Sequence, residues 1–295
     1  ISTVREDGQL MSENERDSPH LPDPAELFSL AGRVALVIGG SGALGEALAR
    51  GLAGAGAQVV VMSRRLDACE RVAANIRDAG GAAAALAGDT SDYASLEMAA
   101  QHLQTTYGAL DILVNATGGN QPQATTSAEL PFFDLDPAAL DAVVRANFTG
   151  VVQSCQVFGR DMALRGEGAI LNIASMSALR PLSRVVAYSA AKAAVVNFTQ
   201  WLAAHMAQEY SPRIRVNALA PGFFLTDQNR YLLTEMQTGA WTARGEAILA
   251  HTPLGRMGTP DDLIGAALWL ISPASAFVTG AVVPVDGGFA AYSGV

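Results

Sequence analysis

The sequence predicts an α/β fold with one doubly wound, parallel sheet of about seven strands and helices on both faces. Short runs rich in β-branched residues alternate along the chain with stretches of helical length. The runs are almost continuously apolar, which indicates strands that are buried on both faces of a parallel sheet. Right-handed crossovers between successive strands would then place helices on both sides, in a Rossmann-type arrangement.

The predicted strands and helices follow each other in an order typical of this fold. The strands cover Arg33–Ile38, Gln58–Met62, Asp111–Asn115, Ala169–Ala174, Arg213–Ala218 and Ala281–Val285, with a weaker alanine-rich strand at Ala82–Leu86. The helices cover Leu44–Ala55, Leu66–Ala79, Tyr93–Tyr107, Pro137–Arg165, Tyr188–Tyr210 and Pro260–Ile271. Two long connections, Gly118–Asp136 and Gly222–Thr259, follow strands, at the edge of the sheet where such folds bind ligands. The second contains a helical segment and is predicted to cover the substrate.

Length and composition predict one folded domain, residues 31–295, behind an N-terminal arm, residues 1–30. The chain has 295 residues, half of them apolar, which suffices for a large core. The first 30 residues carry seven acidic side chains against two arginines and are predicted to be mobile. The net charge of −9, without a basic run, argues against a nucleic-acid partner.

The remaining global features favour a cytoplasmic protein. Cys69 and Cys155 are not in a metal-binding spacing, so free thiols and no metal site are expected. No apolar stretch is long enough to span a membrane, and the acidic N-terminal segment does not resemble a signal peptide.

A glycine-rich turn after the first strand predicts a dinucleotide site. Residues 39–45 read Gly-Gly-Ser-Gly-Ala-Leu-Gly and precede a helix. Glycines permit a tight turn and a close approach of the backbone to a pyrophosphate, which the helix N-terminus then binds. In this turn the cofactor-binding candidates are Gly39, Ser41, Ala43, Leu44 and Gly45.

The residues after the second strand favour NADP over NAD. NAD enzymes usually place an acidic residue there to bind the ribose 2′-hydroxyl, whereas this chain has Ser63, Arg64 and Arg65. A hydroxyl and guanidinium groups suit a 2′-phosphate. The alternative is that both arginines only begin the next helix in solvent, which leaves NAD open. Asp89, Thr90, Asn115 and Gly118, after the next two strands, would line the adenosine side, although Asn115 could instead be structural.

A second motif predicts acid–base chemistry. Tyr188 and Lys192 are four residues apart at the start of a helix, so their side chains share one face. An ammonium group beside a phenol is expected to lower the phenol pKa. Ser175 ends the preceding strand, and its hydroxyl could donate a hydrogen bond to a substrate carbonyl oxygen.

With these motifs together, residues 30–295 resemble the short-chain dehydrogenase/reductase family. The glycine turn departs from the family pattern at Ile38 and Ala43. The resemblance implies a catalytic tetrad of Asn147, Ser175, Tyr188 and Lys192, with Asn147 holding a water for a proton relay and Lys192 also binding the nicotinamide ribose. It implies further cofactor contacts from Pro221, Gly222, Phe224 and Thr226, and a homotetramer assembled partly through helices 137–165 and 188–210.

A narrower resemblance points to a subgroup of D-mannonate oxidoreductases, also called fructuronate reductases. It is carried by residues 119–122, 217–230 and 251–256 and by the tail 284–295. A sugar-acid substrate needs a cation for its carboxylate and polar partners for its hydroxyls. The candidate cations are Arg180, Arg184, Arg230, Arg244 and His251, and the candidate polar partners are Asn120, Gln121, Gln228 and Asn229.

The expected activity is therefore NAD(P)-dependent interconversion of a carbonyl and a secondary alcohol on a sugar acid. Two alternatives stay open at this point. One is reduction of a 3-oxoacyl or other ketone substrate, which a polar, arginine-containing pocket would disfavour. The other is a catalytically silent dinucleotide sensor or scaffold, because a fold does not determine a function.

Overall fold

The computed structural model describes residues 23–226, 230–235 and 238–294 and contains the predicted sheet. Seven strands, all parallel, lie in the order β3-β2-β1-β4-β5-β6-β7. They are β1 Val34–Ile38, β2 Gln58–Ser63, β3 Ala82–Ala87, β4 Ile112–Asn115, β5 Gly168–Ile173, β6 Ile214–Pro221 and β7 Val282–Val285. The strand order reverses between β1 and β4, so the crevice at their carboxyl ends is the expected ligand site.

Helices connect the strands and cover both faces. They are α1 Pro24–Phe28, α2 Ala43–Gly54, α3 Leu66–Asp78, α4 Tyr93–Tyr107, α5 Pro137–Val144, α6 Gly150–Arg165, α7 Val186–Glu209, α8 Arg230–Leu233, α9 Ala243–Ala250 and α10 Ile264–Ile271. None of these described helices is both long and apolar enough to cross a membrane.

The core has two halves, one on each face of the sheet. Along β1, Ala35 and Val37 pack into one apolar cluster, and Leu36 and Ile38 pack into the other. This alternation explains why the strand is apolar without interruption: successive side chains point to opposite faces, and both faces are covered.

The fold departs from the sequence-based expectation at its start. Leu30, placed in the arm, is only 1% exposed and belongs to the core. Its N–H donates to the Ala55 carbonyl oxygen, so the packed structure begins one residue before the predicted domain boundary. Helix α1, in the last part of the predicted arm, has no buried residue. Residues 1–22 of that arm lie outside the described residues.

The segment Gly222–Thr259 was predicted to cover the substrate, and that role stays a prediction. It contains α8 and α9, as the helical pattern in Gly222–Thr259 suggested. A bridge between Phe224 and Gly258 fastens the two ends of this segment together, and a second bridge joins Thr234 to Trp241. The cover has a small apolar cluster of its own, built on Leu233, Ile248 and Met257.

Candidate active site

The glycine turn forms a cradle of backbone groups at the carboxyl end of β1. Gly39 has a φ of 78°, and a Cβ atom there would lie 2.7 Å from the Ala116 carbonyl oxygen. A Cβ atom on Gly45 would overlap the Gly39 carbonyl oxygen. Helix α2 begins at Ala43, and no side chain caps its N-terminus. Its first N–H groups are thus available to an anion, which fits a dinucleotide pyrophosphate.

Ser63 lies beside this cradle in a network of short polar contacts. Its hydroxyl accepts a hydrogen bond from the Ser41 hydroxyl at 2.9 Å and lies 3.0 Å from the Cys69 thiol. Burial raises the pKa of that thiol, which keeps it protonated. The network fixes the end of β2 and leaves the exposed arginines Arg64 and Arg65 as the charged groups next to it.

The predicted adenosine side is built by turns after β3 and β4. Asp89 accepts hydrogen bonds from the N–H and the hydroxyl of Ser91, at 2.9 and 2.6 Å, and these bonds help to lower its pKa. Arg64 and Asp89 line one cavity of about 460 Å³ between this turn and α4. Thr90 is half-buried, and its hydroxyl would lie 2.8 Å from a Cβ atom on Gly150.

The Asn115 side chain has the contacts of a structural residue, which was the alternative to a cofactor contact. Its side chain is fully buried and donates to Asn172 Oδ1 at 2.9 Å and to the Cys155 thiol at 3.4 Å. Asn172 donates in turn to the Thr199 hydroxyl at 2.9 Å. The Asn115 side chain therefore ties β4 to β5 and α6, and its contact with the cofactor stays a prediction.

Asn147 lies in a π-helical turn, Arg145–Thr149, which interrupts the single helix predicted for residues 137–165. Its amide donates to the carbonyl oxygens of Gly119, at 2.7 Å, and Val143, at 2.8 Å, and its Oδ1 accepts from the Gly119 N–H at 3.1 Å. The side chain thereby fixes the loop after β4. The suggested water for a proton relay stays a prediction.

Gly118, in the loop after β4, lies next to the side chains of Asn147 and Lys192. A Cβ atom there would lie 2.5 Å from Asn147 Oδ1 and 3.0 Å from Lys192 Nζ, and the φ of Gly118 is 147°. Any larger side chain would push these two groups apart. Thr117, which motif analysis did not single out, precedes Gly118 and has a buried hydroxyl without a hydrogen-bond partner among the described residues. Such an unpartnered group fits a site that binds a polar ligand.

Lys192 is 3% exposed and is held by backbone carbonyl oxygens instead of carboxylates. Its Nζ donates to Ile173 at 2.9 Å and to Thr117 at 3.3 Å. Neither carbonyl was a predicted partner, because both come from strand ends that only the folded sheet brings to α7. Burial lowers the pKa of Lys192 to about 8.

This pKa predicts a specific titration. Lys192 is the only lysine in the sequence, so ¹³C-lysine labelling gives one Cε resonance to follow. We expect it to titrate near pH 8 in the folded protein and near 10.5 when unfolded. Between these pH values the unfolded chain binds more protons than the folded chain, so Lys192 makes the free energy of unfolding rise with pH across that window. A folded-state titration at or above pH 10 would contradict the prediction.

Ser175 and Tyr188 face each other across the start of α7. Ser175 is 7% exposed, and its hydroxyl accepts from the Ser177 N–H at 3.2 Å. The Ser175 hydroxyl is near enough to the Tyr188 hydroxyl to act on its pKa. Lys192 Nζ lies 5.8 Å from the centre of the Tyr188 ring. The four tetrad candidates therefore lie together, around the loop after β4 and the carboxyl end of β5.

The expected lowering of the Tyr188 pKa is not found. Burial raises this pKa and outweighs the influence of Ser175, which acts in the opposite direction. The Lys192 ammonium was expected to stabilise the phenolate, but the same burial weakens its own hold on its proton. Tyr188 is therefore a protonated hydroxyl near neutral pH, suited to donating a proton.

The segment after β6 packs against the end of β7 and the residues that follow it. Pro221 ends β6 and pairs with Val285, and a Cβ atom on Gly222 would lie 2.6 Å from the Cβ of Asp286. Phe224 is buried in the core, with its ring against Gly258, and its contact with the cofactor stays a prediction. The half-buried Thr226 follows, and its carbonyl oxygen accepts from the Arg230 N–H at 2.9 Å.

Several of the candidate substrate-binding residues make contacts with other parts of the protein. Arg180 Nε donates to the Ala290 carbonyl oxygen at 3.3 Å, which ties the loop after Ser175 to the C-terminal tail. His251 contacts the rings of Phe289 and Tyr292, with centroids 4.6 and 5.2 Å away. Asn120 Nδ2 donates to the Thr125 hydroxyl at 2.7 Å, and the Gln121 carbonyl oxygen accepts from that same hydroxyl at 2.7 Å. Gln228 and Asn229 lie outside the described residues.

Of the three other candidate arginines, Arg230 begins α8, and burial, together with the positive charge of Arg184, lowers the pKa of Arg244. Arg184 belongs to the loop before α7, and Arg244 to the first turn of α9. Among the described residues, no group of three or more histidine, cysteine, aspartate or glutamate side chains is placed to hold a metal ion.

Comparisons with known proteins agree with this geometry. The profile of a family described as enoyl-(acyl carrier protein) reductase matches residues 40–290. The uncharacterized oxidoreductase UxuB of Bacillus subtilis is 46% identical over 276 residues, which are 90% of this chain and 98% of the relative.

Two solved structures resemble the chain over most of its length. One, from Haemophilus influenzae, is a provisionally assigned D-mannonate oxidoreductase with bound NAD; it is 39% identical, has a TM-score of 0.86, and the match covers 92% of this chain and 100% of that one. The other is a gluconate 5-dehydrogenase from Burkholderia cenocepacia in complex with NADP and tartrate, 35% identical, with a TM-score of 0.82 and coverage of 91% and 99%.

Proposed function

The chain belongs to the short-chain dehydrogenase/reductase family, an NAD(P)-dependent group of oxidoreductases, and we propose that its substrate is a sugar acid. In this proposal the enzyme interconverts a ketone and a secondary alcohol on a polyhydroxy acid of the D-fructuronate and D-mannonate type. The observation that carries the reaction is the meeting of Ser175, Tyr188 and Lys192 beside the glycine cradle.

Each member of the tetrad has a role that its geometry supports. The Tyr188 hydroxyl donates its proton to the carbonyl oxygen, and the Ser175 hydroxyl donates a hydrogen bond to the same oxygen. Lys192 binds the nicotinamide ribose and helps to return a proton to Tyr188, for which a pKa of about 8 is well matched. Asn147 positions Gly118 and Gly119 against Lys192.

The dinucleotide fits the cradle, where Gly39, Ser41, Ala43, Leu44 and Gly45 would hold the pyrophosphate and Gly222 and Thr226 the nicotinamide side. When bound, it supplies the hydride that reaches the carbonyl carbon. Arg64 and Arg65 support a preference for NADP. The relatives do not share one cofactor, because one structure holds NAD and the other NADP.

The substrate class is supported by the relatives and by charge. Both solved relatives bear sugar-acid names, and one binds tartrate, a hydroxy acid. Arg184, in the loop before α7, and Arg244, in the first turn of α9, would be candidate partners for the substrate carboxylate. A relative from Pseudomonas aeruginosa, described as a rhamnolipids biosynthesis 3-oxoacyl-[acyl-carrier-protein] reductase and 33% identical over 263 residues, favours one other candidate, reduction of an acyl thioester ketone. A silent scaffold is disfavoured, since all four tetrad side chains are present and in contact range.

A substrate panel tests this proposal. We expect NADPH oxidation with fructuronate and related keto acids, and much slower turnover of acetoacetyl thioesters and of neutral keto-sugars of similar size. Tyr188→Phe serves as the blank for contaminating activity. Faster turnover of acetoacetyl thioesters than of every keto acid would overturn the proposed substrate class while leaving the reaction class intact.

We also propose that the protein is a cytoplasmic homotetramer. Trp201 on α7 is 55% exposed and stacks on Phe198 and His205, which leaves an aromatic surface on the face predicted to join subunits. Sedimentation at micromolar concentration is expected to give a tetramer, and Trp201→Glu is expected to shift it to a smaller species because a charge would be buried there. A wild-type monomer would contradict this assembly.

A further inference from the structure

Thr117 lies between the glycine turn and Lys192, and its backbone packs against both. A Cβ atom on Gly39 would lie 2.7 Å from the Ala116 carbonyl oxygen and 2.9 Å from the Thr117 nitrogen, so the peptide unit that joins these two residues packs on the turn. On its other side, the Thr117 carbonyl oxygen accepts a hydrogen bond from Lys192 Nζ at 3.3 Å. A dinucleotide that extends from the proposed pyrophosphate cradle to Lys192 would therefore pass Thr117.

The Thr117 hydroxyl is buried, and within the described part of the chain it has no hydrogen-bond partner. Two other threonines with buried side chains do have one. The Thr199 hydroxyl donates to the Val195 carbonyl oxygen at 2.8 Å, four residues earlier. The Thr252 hydroxyl donates to the Ile248 carbonyl oxygen at 2.7 Å, again four residues earlier. Thr117 follows a strand, where no helical carbonyl of this kind is in reach. A buried hydroxyl without a partner destabilises the fold, which calls for an explanation at this place.

The hydroxyl and the methyl group of Thr117 can exchange places. Both are bonded to Cβ and have similar sizes, and a rotation of about 120° around the Cα–Cβ bond moves each group from one staggered position to another. Thr117 as a whole is half-buried, whereas its hydroxyl oxygen is not accessible to solvent. The rotation would bury a methyl group where the hydroxyl now lies, and it would free the hydroxyl to bond to a ligand in the crevice.

We propose that Thr117 is a further cofactor-binding residue, whose hydroxyl turns from its buried position to bond to the ribose on the nicotinamide side of the dinucleotide. The choice of this ribose follows from Lys192, which is assigned to the same ribose and is bonded to the Thr117 carbonyl oxygen. Ribose hydroxyls both donate and accept hydrogen bonds, as a threonine hydroxyl does, so the two groups are complementary. This inference rests on the cofactor site of the proposed function and does not depend on the sugar-acid substrate.

The test compares two ligands that differ by one ribose. ADP contains the adenosine and both phosphates, and ADP-ribose adds the second ribose without the nicotinamide ring. Titration calorimetry is expected to show that the wild type binds ADP-ribose more tightly than ADP. Thr117→Val is expected to weaken ADP-ribose binding roughly threefold to tenfold, the effect of one neutral hydrogen bond, and to leave ADP binding within about twofold. Thr117→Ser keeps a hydroxyl and is expected to retain the ADP-ribose affinity of the wild type.

A stability measurement without ligand separates the lost hydroxyl from a damaged fold. Valine has nearly the shape of threonine, so Thr117→Val replaces an unpartnered buried hydroxyl with a methyl group. The melting temperature of this variant is expected to equal or exceed that of the wild type. Thr252→Val is the matched control, because it removes a buried hydroxyl that has a partner, and its melting temperature is expected to fall. Lost ADP-ribose affinity in Thr117→Val then cannot come from unfolding.

The outcomes separate this inference from the proposed function. Unchanged ADP-ribose affinity in Thr117→Val, equal losses for ADP and ADP-ribose, or an equal loss in Thr117→Ser overturns the role of the hydroxyl at the ribose. A Thr117→Val melting temperature clearly below that of the wild type overturns it too, because the hydroxyl then has a structural partner. A wild type that binds ADP-ribose no more tightly than ADP also overturns the inference. A wild type that turns over no sugar acid, but whose ADP-ribose binding depends on the Thr117 hydroxyl, overturns the proposed substrate and keeps the inference.

Discussion

The variant Tyr188→Phe is expected to lose about 10²–10⁴-fold in turnover while it binds NADPH almost as tightly as the wild type. Burial raises the pKa of Tyr188, so the phenol is protonated at neutral pH and can donate its proton to the carbonyl oxygen in the reduction. Phenylalanine keeps the ring and the packing around Ala124, Ala139 and Val143, but it has no proton to give. The loss therefore belongs to kcat, not to folding or cofactor affinity.

A matched variant controls for the removal of a phenol. Tyr93 begins α4 and is partly exposed on a different side of the fold, and Tyr93→Phe is expected to keep wild-type turnover. Steady-state kinetics with the best substrate of the panel, together with NADPH fluorescence titration, separates turnover from binding. If Tyr188→Phe retains most of the wild-type turnover, another group supplies the proton.

The fold could be predicted almost completely, because its signal is local and repeated. Each strand is apolar on both faces, and each connecting helix has the length that a crossover needs. The last two strands show the limits of that signal. Strand β6 runs on to Pro221, three residues beyond the prediction, because β7 pairs with its end and continues the ladder. Only the folded sheet supplies that partner.

The site could be predicted by residue type but not by contact. Asparagine is a poor helix former, but the sequence does not show that Asn147 lies in a π-helical turn and hydrogen-bonds to Gly119 in a distant loop. Asn115 and Ser175 both carry polar groups at strand ends, and the sequence does not tell which of these side chains faces inward. Whether such a side chain faces inward depends on burial by neighbours that are remote in sequence.

Burial also explains why the pKa of Tyr188 is raised and not lowered. Spacing places an ammonium near the phenol and predicts a lower pKa, and this is the only effect that spacing can show. In the folded protein both groups are removed from water, which favours the neutral form of each. Burial is a property of the whole fold and outweighs the local pair.

The largest predicted change in specificity comes from Ser63→Asp. Its position at the end of β2, between Ser41 and the arginines Arg64 and Arg65, is where an NAD enzyme usually has an acid. A carboxylate there would repel a 2′-phosphate and accept hydrogen bonds from a 2′-hydroxyl. We expect the ratio of kcat/KM for NADPH over NADH to fall roughly tenfold to a hundredfold, since a hydrogen bond to a charged group contributes about 1.5–3 kcal/mol.

The variant Ser63→Asn separates this charge from the shape of the new side chain. Asparagine has nearly the same size as aspartate and replaces the same hydroxyl in the contacts with Ser41 and the Cys69 thiol, but it is neutral. If the effect is electrostatic, Ser63→Asn should change both cofactors similarly and Ser63→Asp should change mainly NADPH. Arg65→Ala should weaken NADPH without strengthening NADH, because it removes a cation and adds no acceptor. Equal ratios in Ser63→Asp and Ser63→Asn, or a wild type that already prefers NADH, would show that the guanidinium groups beside β2 lie in solvent and do not read the 2′-phosphate.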